Sequence, residues 1–343
     1  MATTKVTTDV IDMSGNTGGL VWAKGATGDQ PAVVDSTAGD LRENTTTFKT
    51  EVFNGTAWRN LKEAASPVAV EYLVVAGGGG AGGAGGGGGA GGYLTNFGVS
   101  SLSVSSGVPI TIEVGSGGAA GTGGSRALGI QGEASIFSTI TSTGGGSGAG
   151  FNDNASSIMN GGSGGGGANS SASGAYIDGG TATPSPTQGN NGGRGYRTDS
   201  GYNACGGGGG AGGNGVDGSG TGTSPVFGSG GAGLANLITG SSATYSTGGR
   251  GASETGNSNP PSPAAANTGN GGDQVSSVFM NVNGGAGGSG IVILRCTKAT
   301  ATLGSGITVN STAGPGSVSG VAISGTSDYY YSATLGTGTI TFS

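Results

Sequence analysis

The sequence contains no histidine, only two cysteines, and charged residues that make up just 9% of the chain. Without histidine, the commonest general base and transition-metal ligand is missing, and Cys205 and Cys296 alone cannot complete a zinc site. Two cysteines in 343 residues do not form a disulfide scaffold, which favours assembly in a reducing compartment. We therefore expect a protein that is not an enzyme and that carries no metal or cofactor.

Basic residues and long apolar runs are also scarce. The net charge is −6, and no lysine occurs between Lys62 and Lys298. Nucleic-acid binding depends on clustered basic residues, and a phosphate-binding loop of the G-x-x-x-x-G-K type needs a lysine, so neither is expected. The chain begins with the polar MATTKVTTDV, and no apolar run is long enough to cross a bilayer, which predicts neither a secretory signal nor membrane insertion.

Glycine is the residue that the chain has in excess. Most of the 85 glycines lie between residues 77 and 290, where they make up about a third of the residues. Such a composition without a period is typical of disorder, which is the alternative interpretation. The run over 77–92 instead reads GGGGAGGAGGGGGAGG, and its alanines at 81, 84 and 90 share one phase of a three-residue repeat.

A period of three predicts a helix with three residues per turn, in which two of the three edges carry only glycine and therefore no side chains. A polyglycine-II helix has this form: it is left-handed, has no internal hydrogen bonds and rises about 3.1 Å per residue. Its N–H and C=O groups must therefore bond to neighbouring strands, so such helices have to form a bundle. We expect residues 77–92 to form a rod of roughly 50 Å, with its alanines on an edge that touches no neighbour.

Two apolar runs of strand length bracket the glycine block, one over 68–75 and the other over 290–295. We expect them to belong to one small β-sheet, with further strands over 109–114 and 134–140. The last part of the chain predicts a C-terminal β module with strands near 307–310, 318–323 and 338–342. The expected fold is mainly β with little α-helix, in three regions: an N-terminal β module over 1–66, a bundle of polyglycine-II helices with its sheet over 67–298, and the C-terminal β module over 299–343.

The N-terminal region has ordinary composition, with Trp22, Phe48, Phe53 and Trp58 as its expected core. Asn54-Gly55 between two apolar pairs predicts a β-hairpin. The residues DLRENTTT at 40–47 and EVFNGTAW at 51–58 resemble the G-x-L-R-x-N-x-x-T and E-x-Y-N-G-x-x-W module of tailed-phage fibre proteins, with Phe53 in place of the usual tyrosine. The resemblance implies that residues 1–66 attach the protein to other virion tail proteins.

The glycine-rich region resembles the glycine-rich domain of tailed-phage adhesins and tail fibres. The resemblance rests on EYLVVAGGGG at 71–80, SIFSTITSTGGG at 135–146 and GGSGIVILR at 287–295. It implies a polyglycine-II sandwich whose variable loops recognise a host glycan or outer-membrane protein. It also implies a virion protein assembled in the host cytoplasm, and fibres with such a first region are usually trimers. An animal receptor-kinase ectodomain can carry a related fold, but with a secretory signal and more cysteines.

Large side chains in the loops between the glycine runs are the candidate receptor-binding residues, because tyrosine and arginine dominate binding hot spots. An alternative is that the aromatic side chains shield the ends of the bundle. The candidates are Phe151, Tyr176, Arg194, Tyr196, Arg197, Tyr202, Tyr245 and Arg250.

Two functions remain open from the sequence. The first is a phage tail fibre or adhesin that binds a host receptor, and the second is a purely structural virion component, such as a capsid-decorating or fibre-joining protein. A polysaccharide depolymerase would need paired carboxylates, whereas Asp153, Asp178, Asp199, Asp217 and Asp273 each lie in a separate loop.

Overall fold

Most of the chain is described by a computed structural model, which covers residues 23–29, 38–61, 67–151, 156–169, 173–174, 176–254, 261–274 and 282–343. The chain divides into two compact units, Met1–Ala65 and Ser66–Ser343. Both are built of β-strands, and within the described residues the only α-helix is the short α1 (Ser156–Met159). The expected mainly β fold with little helix is confirmed.

The described part of the first unit is a four-stranded sheet with its strands in chain order. The strands are β1 (Ala23–Gly25), β2 (Leu41–Asn44), β3 (Lys49–Phe53) and β4 (Trp58–Asn60), with a 3-10 turn at Thr27–Asp29. Strands β3 and β4 form the predicted hairpin, with Phe53 opposite Trp58. The Asn54 side-chain oxygen accepts hydrogen bonds from the backbone N–H groups of Thr56 and Ala57, which fixes the turn.

The expected core of this unit is confirmed in part within the described residues. Phe53 is buried and its ring lies 5.6 Å from that of Trp58, as expected. The expectation for Phe48 is wrong: its side chain is 84% exposed because the residue sits in the β2–β3 turn with φ of 54°. Trp22 lies outside the described residues.

The sheet buries a charged pair that the sequence analysis missed. The Arg42 Nε lies 3.3 Å from Glu51 Oε2, and both side chains are almost fully buried. Asn44 Nδ2 donates a hydrogen bond to Glu51 Oε1, and Arg42 Nη2 donates one to the Ala26 carbonyl. Buried charges are tolerated when they are paired and hydrogen-bonded in this way.

The described residues of the second unit contain 20 further strands, β5 to β24. The first group is β5 (Val68–Val75), β6 (Tyr93–Thr95), β7 (Leu102–Val104), β8 (Ile110–Val114), β9 (Ser135–Phe137) and β10 (Ile140–Ser142). The short strands of the glycine-rich part are β11 (Tyr176–Ile177), β12 (Gly195–Arg197), β13 (Asn203–Ala204), β14 (Ser219–Thr221), β15 (Ser224–Val226), β16 (Leu234–Asn236) and β17 (Ala243–Tyr245). The last group is β18 (Ile291–Cys296), β19 (Thr300–Leu303), β20 (Ile307–Val309), β21 (Thr312–Ala313), β22 (Gly316–Ser319), β23 (Val321–Ala322) and β24 (Tyr329–Phe342).

Where the structure describes the chain, the main sheet has 13 strands, seven of them in the order β10-β9-β8-β24-β18-β5-β6. Strands β5 and β18 are antiparallel neighbours, with Ile291 opposite Val75, so the two runs that bracket the glycine block do share one sheet as predicted. Strand β8 confirms the predicted strand at 109–114. The expected strand at 134–140 is instead a hairpin of β9 and β10, because Ser138 turns the chain with φ of 56°.

This sheet is buried on both faces at its centre. Val74 and Leu294 point into a large apolar cluster that also contains Phe137 and Tyr331. Their chain neighbours Val75, Leu73 and Ile293 point to the other face and pack against a second cluster. Because successive side chains of a strand point to opposite faces, the continuous apolar runs of β5 and β18 reflect this burial on two sides.

Residues 299–343 supply strands at the predicted places, but they do not form a separate sheet. The 14-residue β24 lies between β18 and β8 and pairs with both. Strands β19 and β20 also pair with β24. The C-terminal residues therefore complete the sheet from which the glycine runs emerge.

The first glycine run is not a single rod. The chain turns at residues 83–85, where Ala84 has φ of 50°, and the run folds back on itself. The Gly82 N–H donates to the Gly86 carbonyl at 3.0 Å and the Gly79 N–H to the Gly89 carbonyl at 2.9 Å. The expected rod of 50 Å is therefore wrong, and the run forms two antiparallel segments of about half that length.

The N–H groups of the first segment point to three neighbours in rotation. Those of Gly77, Gly80 and Gly83 donate to a segment over 127–133, and those of Gly78, Ala81 and Ala84 to one over 282–288. Those of Gly79 and Gly82 donate to the returning half of the run. The carbonyls of the same segment accept hydrogen bonds from three others, over 118–121, 145–151 and at 272. The segment over 77–83 is thus bonded to neighbours on all sides.

This enclosure explains a second departure from expectation. Ala81 and Ala90 do not lie on a free edge, because both are fully buried. A Cβ placed on Gly284 would lie 3.0 Å from the Ala81 Cβ. The methyl group of Ala81 therefore has room because the residue that faces it is a glycine.

Candidate binding surface

Five of the eight candidate residues lie on or directly beside one small sheet of the second unit. Strands β11, β12 and β13 form this sheet, in which Tyr176 lies opposite Tyr196. The two tyrosine rings stack with centroids 4.6 Å apart and planes tilted by 33°. Tyr176 remains 46% exposed, so the aromatic pair lies at the protein surface.

Arg194 joins this aromatic pair. Its guanidinium carbon lies 4.4 Å from the centre of the Tyr176 ring, a cation–π distance. Arg194 Nε and Nη2 both donate to Asp217 Oδ2, at 2.9 and 2.7 Å, and the Arg194 backbone N–H donates to Oδ1 at 2.7 Å. Partial burial would raise the pKa of Asp217, but these bonds outweigh it and lower that pKa. Arg194 is therefore held in place on the ring.

Asp178 lies in the same neighbourhood. The pKa of Arg194 is raised mainly by its hydrogen bond with Asp217, and the nearby Tyr176 and Asp178 side chains raise it further. Asp178 itself is exposed and follows directly on strand β11. The sequence analysis noted Asp178 only as one of several scattered acidic residues, because nothing in the spacing of Asp178 and Arg194 shows that they lie near each other.

Arg197 and Tyr202 flank the turn between β12 and β13 and are half-buried. Arg197 Nε donates to the Gly201 carbonyl at 3.1 Å. The backbone N–H of Tyr202 donates to Thr198 Oγ1, and that of Thr198 to the Tyr202 carbonyl. Both candidates therefore adjoin the aromatic pair and also order the turn.

The remaining three candidates lie elsewhere. Phe151 packs under Arg126, whose guanidinium carbon is 4.5 Å from the ring centre, and Arg250 is ion-paired with Asp273. Tyr245 is only 8% exposed and packs with Leu73 and Ile293, and burial raises its pKa. Its assignment to a receptor-binding surface is wrong, because strand β17 turns this side chain into the core.

A cavity of about 320 Å³ opens beside strand β11. Its apolar part is formed by Met159, which is buried, and by Ile177. Asn160, Asp178 and Thr181 provide exposed polar groups around it. The sequence analysis missed this cavity, because it forms where residues 159–160 meet residues 177–181.

Arginine–aspartate pairs recur in the glycine-rich part with a fixed spacing. Arg250 and Asp273 repeat the bonds of Arg194 and Asp217, including the backbone N–H to Oδ1 bond, at the same separation of 23 residues. The backbone N–H groups of Asn191 and Thr247 likewise donate to the side chains of Asn214 and Asn270, 23 residues further on. These side chains join neighbouring segments in register.

Within the described residues there is no group of three or more histidine, cysteine or acidic side chains that could hold a metal ion. Cys205 and Cys296 are both free and buried. Burial raises the pKa of Cys205 to about 12, so its thiol stays protonated near neutral pH. The same residues form no helix long and apolar enough to span a membrane.

Comparison with known proteins identifies a family for this chain. Neither a curated protein nor a solved structure matches the chain. A family model described as a glycine-rich domain matches residues 52–297, which include the first glycine run, the β11–β13 sheet and both bracketing strands. The chain therefore belongs to the glycine-rich domain family.

Proposed function

We propose that the protein is a tailed-phage fibre adhesin, a structural virion protein that presents loops to a receptor on the host cell surface. The observation that carries this proposal is the exposed cluster of Tyr176, Tyr196 and Arg194 on a small sheet that emerges from a backbone-bonded body. Stacked tyrosines with a fixed arginine are typical of binding hot spots, because little freedom is lost when they are covered.

The body that holds this cluster is, in this proposal, a bundle of polyglycine-II helices. Its support is the rotation of hydrogen bonds along residues 77–83, in which every third N–H group reaches the same neighbour. A helix with three residues per turn gives that rotation. Such a body depends on backbone hydrogen bonds, so the loops could vary in sequence without loss of the fold.

The resemblance of residues 40–58 to a fibre module supports the remaining parts of the proposal. The first 66 residues attach the protein to other virion tail proteins, and the assembled fibre is a homotrimer. The proposed receptor is a glycan or an outer-membrane protein of the host.

The test uses fluorescently labelled full-length protein on a panel of bacterial species, read by flow cytometry. We expect the protein to stain a subset of the panel and, in excess, to block phage adsorption to those bacteria. The double variant Y176A/Y196A should lose staining with only a small change in melting temperature, because Tyr176 is exposed, Tyr196 is half-buried and neither belongs to an apolar core cluster. As a control, V226A alters an exposed residue of a different small sheet and should stain normally.

Two results would overturn the adhesin proposal. One is the absence of staining across the panel, and the other is staining that Y176A/Y196A leaves intact. Either would favour a purely structural virion component, in which the glycine-rich body is a spacer.

A further inference from the structure

The cavity beside β11 has polar groups that are free to bind a ligand. Within the described residues, the Asp178 carboxylate has no hydrogen-bond partner. The Asn160 side-chain oxygen accepts from the backbone N–H and hydroxyl of Thr181, whereas its Nδ2 has no partner among those residues. The cavity thus offers carboxylate acceptors, two amide donors and a hydroxyl oxygen.

The charges around the cavity disfavour an anionic ligand. Asp178 is the acidic group that lines it, and Arg194, the arginine on the Tyr176 ring, is already engaged by Asp217. An anion would therefore meet a carboxylate without a free cation to offset it. A neutral ligand that donates hydrogen bonds to a carboxylate fits these groups better.

The rest of the surface favours a ligand that has an apolar side as well as hydroxyl groups. Met159 and Ile177 line the apolar part of the cavity, where the half-buried Ile177 is the more accessible of the two, whereas the ring of Tyr176 does not line it. Sugar rings combine C–H faces, which pack on aliphatic and aromatic groups, with hydroxyl groups that bond to carboxylates and amides. A volume of about 320 Å³ suits a sugar residue rather than an extended peptide.

We propose that this cavity binds a neutral sugar residue of a cell-surface glycan, with Asp178 and Asn160 bonding to its hydroxyl groups and Ile177 contacting its apolar face. This inference rests on the proposed function, because it names the receptor of the same surface as a glycan rather than a protein.

The direct test needs no cells. Full-length protein is applied to an array of bacterial surface glycans, and the affinity for methyl glycosides of the retained sugars is measured by NMR titration. We expect a dissociation constant on the order of 1 mM, as for other small neutral ligands. D178N should weaken binding about tenfold or more, because it removes a charged acceptor. D199N removes an exposed carboxylate that does not line the cavity and should bind as the unchanged protein does.

Absence of binding to every glycan on the array would overturn the sugar site, as would equal affinity of D178N and the unchanged protein. Melting temperatures of both variants separate loss of a contact from loss of the fold.

A cell experiment separates this inference from the proposed function. Where bacteria are stained, periodate oxidation of their glycans should abolish staining, and protease treatment should not. The opposite pattern would identify a protein receptor and overturn the sugar site while the adhesin proposal stands. Glycan binding that depends on Asp178, without staining of any bacterium, would support the sugar site and overturn the adhesin.

Discussion

Glycine is required in this protein chiefly by close packing, not by backbone conformation. Along residues 77–92, a Cβ on most of the glycines would overlap a carbonyl oxygen of a neighbouring segment, although none of those glycines has a positive φ. Gly86 would meet the carbonyl of Gly166, which is backbone and cannot move aside as a side chain could. Gly124, at a turn, has nothing within 4 Å of the same position.

These two glycines make a matched pair of substitutions. G86A should lower the free energy of unfolding by about 3 kcal/mol or more, because the added methyl group overpacks a rigid site. G124A should change it by less than about 1 kcal/mol, and in the stabilising direction, since alanine restricts the unfolded chain. Chemical denaturation of both full-length variants measures the difference. Equal effects would contradict close packing as the reason for glycine at residue 86.

The three-residue phase could be predicted from the sequence, but the surroundings of its side chains could not. The alanines at 81, 84 and 90 do mark a period that the hydrogen bonds follow. The burial of Ala81 and Ala90 depends on segments near residues 285 and 209, which are far away in the chain. Tyr245 shows the same limit, because its neighbours Leu73 and Ile293 come from the two bracketing strands.

Neighbouring glycine-rich segments are linked by side chains as well as by backbone bonds. Asp273 accepts the Arg250 backbone N–H on Oδ1 and the Arg250 guanidinium on Oδ2. The equivalent residue three positions earlier, Asn270, accepts only the backbone N–H, from Thr247. Asp273 and Asn270 therefore both accept a backbone N–H group, and Asp273 also forms an ion pair.

This comparison predicts the effect of two substitutions at residue 273. D273A removes the acceptor of a backbone N–H and should cost about 1 to 2 kcal/mol of unfolding free energy. D273N keeps an oxygen in place, as Asn270 does, and should cost less than about 1 kcal/mol, since the ion pair is partly exposed. D199A, at an exposed aspartate of the β12–β13 turn, is the control. If D273N and D273A are equally destabilising in thermal denaturation, the charge and not the backbone acceptor stabilises this contact.

Elements with a local signal were predicted correctly, and those set by distant contacts were not. The Asn54-Gly55 hairpin and the strands β5, β8 and β18 follow from residues adjacent in the chain. The turn at Ala84 has no such signal, because alanine continues the three-residue phase there. Strand β24 is longer than expected, since its ends are paired by different strands, β18 and β8.

The second unit combines two ways of holding a chain together. Its sheet is stabilised by burial of apolar side chains on both faces, and its glycine-rich segments by hydrogen bonds between backbones. The sheet and the glycine-rich segments meet where β5 leads directly into the first glycine run and where the last run leads into β18. Because Val75 and Ile291 pair at that point, the sheet fixes both ends of the glycine-rich excursion.

A sheet with this role should not tolerate loss of its central strand. Removal of residues 299–343 deletes β24, leaves the facing edges of β18 and β8 unpaired, and takes Tyr331 and Phe342 out of the apolar cluster that contains Leu294 and Ile112. We expect that truncated protein to aggregate or to lose its cooperative melting transition.

Removal of residues 1–65, a compact unit of its own, should leave the transition of the second unit in place. Size-exclusion chromatography and circular dichroism compare the two truncations. A soluble protein lacking residues 299–343 that melts like the full chain would mean that these residues are an appended module, and that β5 and β18 suffice to anchor the glycine runs.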